Sequence, residues 1–219
     1  MLYSSIIFDL DGTLLDTLTD IAESVNTVLT MNNFPTCSRE NYKTFIGDGL
    51  HNLLSRSVPD GTQESVIVDC CEKFVEIYSE NWKKNCCPFE GINTMLADLS
   101  ARHIKLAVLS NKPHAFTRLF VEEFFHEDMF EIVFGQREGV NKKPHPAGAL
   151  AIAEFLQTHP ENILFVGDSN VDIQTGKAAG MGTAGVSWGY RSVTELIENN
   201  AKVIVNNPLE IVEYVLSAT

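Results

Sequence analysis

From Pro88 onward the chain alternates short apolar runs with longer stretches whose apolar residues return at helical spacing. The runs are IKLAVLS (104–110), EIVFG (131–135), ILFVGD (163–168), TAGVS (183–187) and KVIVN (202–206). Around and between them lie the helical stretches 94–102, 115–125, 147–156, 173–179, 193–198 and 209–216. Strands separated by helices return in the same direction, so the pattern predicts an α/β fold: a doubly wound, mostly parallel sheet covered by helices. The apolar opening that ends in Asp9 reads as a further strand of this set.

A different block separates that opening strand from its partners. Ile21, Val25, Val28 and Leu29 recur at helical spacing, and Leu50, Leu53, Leu54 and then Val66, Val68, Phe74, Val75 and Ile77 suggest two more helices. No convincing strand occurs between about 16 and 82. The expected organisation is therefore an α/β core built from 1–15 and 88–219, interrupted by a helical cap over 16–87 that lies across the strand ends.

In open parallel sheets ligands bind outside the carboxyl ends of the strands. Strand one ends in Asp9-Leu10-Asp11, the run at 104–109 in Ser110-Asn111-Lys112, and the run at 163–166 in Gly167-Asp168-Ser169. Asp172 follows four residues after Asp168, and Lys142-Lys143-Pro144-His145-Pro146 precedes a helix. Each piece has a plain structural reading alone: Asp11-Gly12 as a turn, Asp168 and Asp172 as a cap and a first-turn acid, Ser110-Asn111 as another cap. Together, at strand ends that the topology brings side by side, they make a candidate site.

Acidic residues crowded at such a site need a counter-charge. Two unit charges ~5 Å apart at an effective dielectric of ~20 repel by roughly 3 kcal/mol, about two pKa units. A hard divalent ion with oxygen ligands removes the difficulty, and Mg²⁺ suits a small, partly hydrated site. The combination reads as phosphoryl transfer. A cation and a lysine offset the phosphate charge, one carboxylate attacks phosphorus, and a second carboxyl two residues on moves the proton.

The formal charge of −13 disfavours nucleic acid or an anionic membrane surface as partner, so a small phosphorylated metabolite must be drawn by local cations. The start, MLYSSIIF, has no basic region before its apolar residues, and nothing approaches a transmembrane span. A cytoplasmic location is expected. Five cysteines without CxxC spacing read as reduced thiols rather than a zinc site or a disulfide framework. Oligomeric state is not legible in the sequence.

In their order, DLDGT, SN, KP and GDSNVD resemble the four motifs of the haloacid dehalogenase superfamily, and the resemblance covers essentially the whole chain. The helical insertion resembles the C1-type cap. FIGDGLHNLLSRSV (45–58), LSNKP (109–113), KKPHP (142–146) and GVSWGYRS (185–192) look most like the phosphoglycolate phosphatase group. The resemblance implies Asp9 as nucleophile and Asp11 as general acid/base, with Asp9, the Asp11 carbonyl and Asp168 holding Mg²⁺. It implies Ser110 and Lys143 as phosphate binders, helped by Asn111 and the amides around Gly12, and Asp172 as a residue orienting the lysine or a metal-bound water. Gly47, Asp48 and Gly49 would face the site from the cap, and Arg56 is a candidate for a substrate carboxylate. Ser110 stands where relatives often carry threonine.

The expected activity is hydrolysis of small phosphomonoesters, 2-phosphoglycolate first among them. A sugar phosphomutase or an inorganic pyrophosphatase on the same core are the alternatives. A dehalogenase is disfavoured by the acid at Asp11. A non-catalytic binding or regulatory module is disfavoured because every charged motif residue is present.

Overall fold

The computed structural model describes residues 3–217. Positions 1, 2, 218 and 219 of the expected core segments lie outside the described residues. The chain opens with Ser5–Phe8 (β1) and a two-residue strand, Leu15–Asp16 (β2). Four helices follow: Leu18–Met31 (α1), Arg39–Phe45 (α2), Leu50–Ser57 (α3) and Glu64–Asn81 (α4). After Cys87–Pro88 (β3) and Ile92–Ala101 (α5), strands and helices alternate: Lys105–Pro113 (β4), His114–Phe124 (α6), Ile132–Gln136 (β5), Ala147–Phe155 (α7), Ile163–Gly167 (β6), Asn170–Ala178 (α8), Gly182–Val186 (β7), Val193–Glu198 (α9), Val203–Val205 (β8) and Leu209–Ser217 (α10).

Six strands form one sheet in the order β5-β4-β1-β6-β7-β8, with every recorded pairing parallel. The expected α/β class and parallel sheet are what the chain adopts. β1 sits in the middle, with Phe8 opposite Val108 on one side and Val166 on the other. Ile6, Ile7 and Phe8 are all fully buried. Ile6 and Phe8 join one hydrophobic cluster and Ile7 the other, because successive side chains of a strand point to opposite faces and both faces carry helices. Continuous apolarity in IIF thus marks a central strand and puts Asp9 at its carboxyl end.

Some elements differ from the expectation. The insertion holds four helices where the periodicity indicates three; α2 buries Tyr42 alone, so it leaves almost no apolar repeat to read. Its start is marked instead by Ser38 and Asn41, which cap each other's backbone. α8 begins at Asn170, ahead of 173, with Asp172 reaching back to the N–H and hydroxyl of Ser169. β4 runs on to Pro113 through a register shift after Leu109, so Ser110 and Asn111 lie within an irregular strand end rather than a helix cap. No helix among the described residues is long and apolar enough to cross a membrane.

The expectation placed no strand in the junctions, yet β2 and β3 pair there, antiparallel, with Leu15 opposite Pro88 and Asp16 opposite Cys87. Two residues are too short for alternation to show. This ladder clamps the two chain crossings side by side, and Asp20 of α1 reinforces it. The buried Asp20 carboxylate accepts from the backbone N–H of Asn85 and of Cys86 and from the Asn85 amide at 2.7 Å. Removing it leaves the buried Cys86 N–H and the part-buried Asn85 N–H without this partner. Asp20→Ala is therefore expected to destabilise the protein by about 3 kcal/mol, measured by urea denaturation; a loss below about 0.5 kcal/mol would contradict this role.

Candidate active site

The carboxyl end of β1 brings the charged motif residues together. Lys143 Nζ donates to Asp9 Oδ1 and to Asp172 Oδ1, each at 2.7 Å. All three side chains are buried, Asp172 completely. Asp168, at the end of β6, accepts from the Tyr190 N–H at 2.7 Å. Carboxylate oxygens of Asp9, Asp168 and Asp172 lie within 4.8 Å of one another. Gly12 has φ +88°, and a Cβ there would press into the Asp168 carboxylate and the Tyr190 ring. That position therefore admits glycine for both conformation and space.

Three carboxylates against one ammonium leave the cluster with a surplus of two negative charges. Burial, and then the Asp172 charge, push the Asp9 carboxyl well above its ordinary range; Lys143 opposes them without cancelling them. Asp168 is pushed up to about 7 by burial and by Asp172, against the Tyr190 amide. Burial alone would lower Lys143, but Asp172 and Asp9 outweigh it and hold the ammonium above its ordinary value. All three shifts express the same imbalance. The donor set, hard oxygens with a two-charge surplus in a dry site, fits a hard divalent cation.

The sign of the pH dependence follows. Carboxyls with raised native values keep protons that the unfolded chain has released, between about pH 4 and about 7. The stability they contribute is lost as pH rises through that window, and a bound divalent cation replaces the protons. The rise in Tm on adding a divalent cation to chelator-treated protein is expected to grow between about pH 5 and about pH 7.5. Thermal melts at both values check it; an equal or smaller rise at the higher pH would refute it.

Asp11 has a different set of partners. Its Oδ1 accepts from Lys112 Nζ at 2.9 Å and from the Thr17 hydroxyl at 2.6 Å. Lys112 Nζ also donates to the Tyr78 hydroxyl of α4 at 3.0 Å. Tyr190 contributes a second time here: its hydroxyl accepts from the Thr17 N–H at 2.8 Å. Asp9, Asp11, Ser110, Asn111 and Lys112 line a cavity of about 50 Å³, whose far wall is apolar and comes largely from the insertion, including Leu50, Leu53 and Phe74.

Asn111 joins core to insertion. Its Oδ1 accepts from the Lys143 N–H at 2.8 Å, while Nδ2 donates to the Lys143 carbonyl and to the Gly47 carbonyl. The neighbouring carbonyls are held too, Ile46 by Arg191 at 3.0 Å and Asp48 by Lys142. Three consecutive backbone carbonyls of the insertion are thus each gripped by a side chain from a different core segment. Gly47 and Gly49 line the cavity, both at positive φ. Asp48 and Arg56 pair with each other, and Arg56 also donates to the Phe45 carbonyl; neither is among the residues lining the cavity.

From the sequence, Lys112 reads equally as a lysine that steers anions and as one that faces water, Tyr190 reads as a packing residue, and Tyr78 carries no signal. Lys112 follows Ser110-Asn111 directly, so its place at a strand end was available as a signal. Tyr78 and Tyr190 look like core aromatics, and nothing local marks where their hydroxyls end up.

Comparison with known proteins agrees with this arrangement. Residues 6–186 match the family model described as haloacid dehalogenase-like hydrolase. A phosphoglycolate phosphatase of Psychrobacter arcticus is 30% identical over 97% of this chain and 96% of its own. One from Aquifex aeolicus is 34% identical over 84% of this chain and 85% of its own. A crystal structure from Lactobacillus delbrueckii subsp. bulgaricus, provisionally a phosphoglycolate phosphatase, has a TM-score of 0.93 at 29% identity, covering 99% of this chain and all of that one. With a family match that runs from the strand before Asp9 to the end of β7, this chain belongs to the haloacid dehalogenase-like hydrolases.

Proposed function

We propose that this phosphatase is Mg²⁺-dependent and hydrolyses small phosphomonoesters in the cytoplasm, with 2-phosphoglycolate as its substrate, through a phospho-Asp9 intermediate. The observation that carries the reading is the division of labour around Asp9. Lys143 and two further buried acids gather at its carboxylate, and Asp9 and Asp11 both line the cavity. The similarity to phosphoglycolate phosphatases supports the substrate.

In this mechanism an Asp9 oxygen attacks phosphorus, forming the Asp9–phosphoryl bond as the ester P–O bond breaks. Asp11 gives its proton to the leaving oxygen, then takes one from the water that hydrolyses phospho-Asp9. Both hydrogen bonds recorded for the Asp11 carboxylate fall on Oδ1, which leaves Oδ2 for that proton. Ser110 binds phosphoryl oxygens with the amides around Gly12, and Asn111, whose side-chain amide is taken by the Gly47 and Lys143 carbonyls, helps through its main chain. Lys143 offsets phosphoryl charge while Asp172 fixes its position. Mg²⁺, held by Asp9, Asp168 and the Asp11 carbonyl, supplies the remaining charge neutralisation.

The helices between β2 and β3 act as a cap that keeps bulk water out during the first transfer. Its loop at Gly47, Asp48 and Gly49 bounds the site, Gly47 and Gly49 at the cavity and Asp48 through its carbonyl. The apolar far wall, with Leu50, Leu53 and Phe74, offers few partners to the hydroxyls of a hexose, and this supports a short organic tail over the substrate of a phosphomutase.

Asp9→Asn is expected to lower kcat by at least about 10³-fold, since an amide cannot serve as the nucleophile, with an unchanged circular dichroism spectrum. Asp11→Asn is expected to cost about 10²–10⁴-fold. Both are measured as phosphate release with saturating Mg²⁺, and near-normal turnover by Asp9→Asn would remove the nucleophile assignment. A panel of 2-phosphoglycolate, hexose phosphates and pyrophosphate, compared by kcat/KM with Asp9→Asn as the blank, decides the substrate. A flat profile, or a peak at pyrophosphate, would overturn 2-phosphoglycolate.

A further inference from the structure

We propose that Lys112 is the residue that reads the substrate's carboxylate, and so selects phosphomonoesters whose organic tail ends in an anion one carbon beyond the ester oxygen. The inference rests on the phosphatase reading above and names the source of its specificity.

The cavity poses the question. Its lining is largely apolar, with Ile21, Ile46, Leu50, Leu53, Phe74 and Phe116 facing Asp9 and Asp11. A carboxylate entering such a space loses its water and must meet a cation. Among the described residues lining the cavity, Lys112 is the one lysine or arginine. The other basic groups nearby are committed elsewhere. Lys143 is held between Asp9 and Asp172, Lys142 and Arg191 grip insertion carbonyls, and Arg56 pairs with Asp48 on the insertion.

The position of Lys112 suits the task. Its ammonium is 2.9 Å from Asp11 Oδ1 and 3.0 Å from the Tyr78 hydroxyl, and lies over the Phe120 ring at 4.5 Å. An ammonium has three N–H donors, so those two bonds leave one for a ligand. The side chain is 5% exposed, which makes the charge poorly solvated and a ligand's anion a strong partner. Chemistry sets the distance. Asp11 must reach the ester oxygen to protonate it, and in 2-phosphoglycolate the carboxylate carbon is two bonds from that oxygen. An anion so close to the atom Asp11 serves falls next to the ammonium that Asp11 holds. The Lys112 N–H also bonds the Ser110 hydroxyl at 3.2 Å, so the phosphate-binding and carboxylate-reading residues are fixed to each other along one strand end.

The experiment compares 2-phosphoglycolate with ethyl phosphate, a neutral tail of the same carbon count, in wild type, Lys112→Met, Lys112→Gln and Lys112→Arg with Mg²⁺. Wild type is expected to prefer 2-phosphoglycolate. Lys112→Met is expected to lose about 100-fold of that preference in kcat/KM, chiefly through KM, while Lys112→Arg keeps most of it. Lys112→Gln, which retains hydrogen-bonding capacity toward Asp11 and Tyr78, is expected to lose the preference as well. An equal fall for both substrates would show that Lys112 only positions Asp11, and would overturn the inference. So would an unchanged preference in Lys112→Met or Lys112→Gln. A wild type without preference for the anionic tail overturns the substrate reading itself, and this inference with it. Should the neutral variants not fold, Asp9→Asn with Lys112 intact carries the test: the Lys112 ammonium ¹⁵N resonance shifts on adding 2-phosphoglycolate and not ethyl phosphate, and absence of that shift overturns the assignment.

Discussion

The ammonium of Lys143, fixed at 2.7 Å from both Asp9 and Asp172, is the contact around which the rest of the molecule is arranged. A buried lysine and two buried carboxylates are each costly alone, and breaking such a group by removing one member leaves an uncompensated charge. Three separate chain segments must therefore arrive together: the end of β1, the loop before α7 and the first turn of α8. The central position of β1 makes this possible, since β4 and β6 flank it in register. Asp168 adds a third carboxylate to a group that already holds two against one ammonium, and such a donor set fits a hard divalent cation.

A second layer of contacts carries the state of that site outward. Asn111 ties the Lys143 backbone to the insertion through the Gly47 carbonyl, and Lys142 and Arg191 hold the carbonyls on either side. The insertion offers backbone carbonyls to these three side chains, while the Ile46 side chain is buried in the hydrophobic cluster. Tyr190 does the same work nearer the β2–β3 ladder, with its amide on Asp168 and its hydroxyl at Thr17 beside β2. These polar bonds and the short β2–β3 ladder act beside an apolar seam in which Tyr78 and Trp82 pack on Phe116, Phe120 and Phe124.

Much of this was legible before any coordinates. The alternation after Pro88 reported the parallel sheet because each strand buries both faces and each crossover needs a helix. The acids and lysine could be read at strand ends for the same reason. What escaped was short or indirect: α2, which buries Tyr42 alone; the two-residue ladder, below the length at which a pattern exists; and Arg56, whose guanidinium is engaged by Asp48 and the Phe45 carbonyl. Burial of a polar tip, as for Tyr78 and Tyr190, depends on neighbours far away in the chain and leaves no local trace.

The sequence by itself determined the order of strands and helices, the interruption after the first strand and the set of charged residues available to the site. These follow from periodicity and from side-chain chemistry, which are local properties. The tertiary structure alone decided which lysine meets which acid. Lys143 and Lys112 both follow short polar motifs, yet one lies between Asp9 and Asp172 and the other between Asp11 and an aromatic wall. Distances of a few ångströms between residues 29 to 134 positions apart are set by packing of the whole sheet, and no local pattern of sequence contains them.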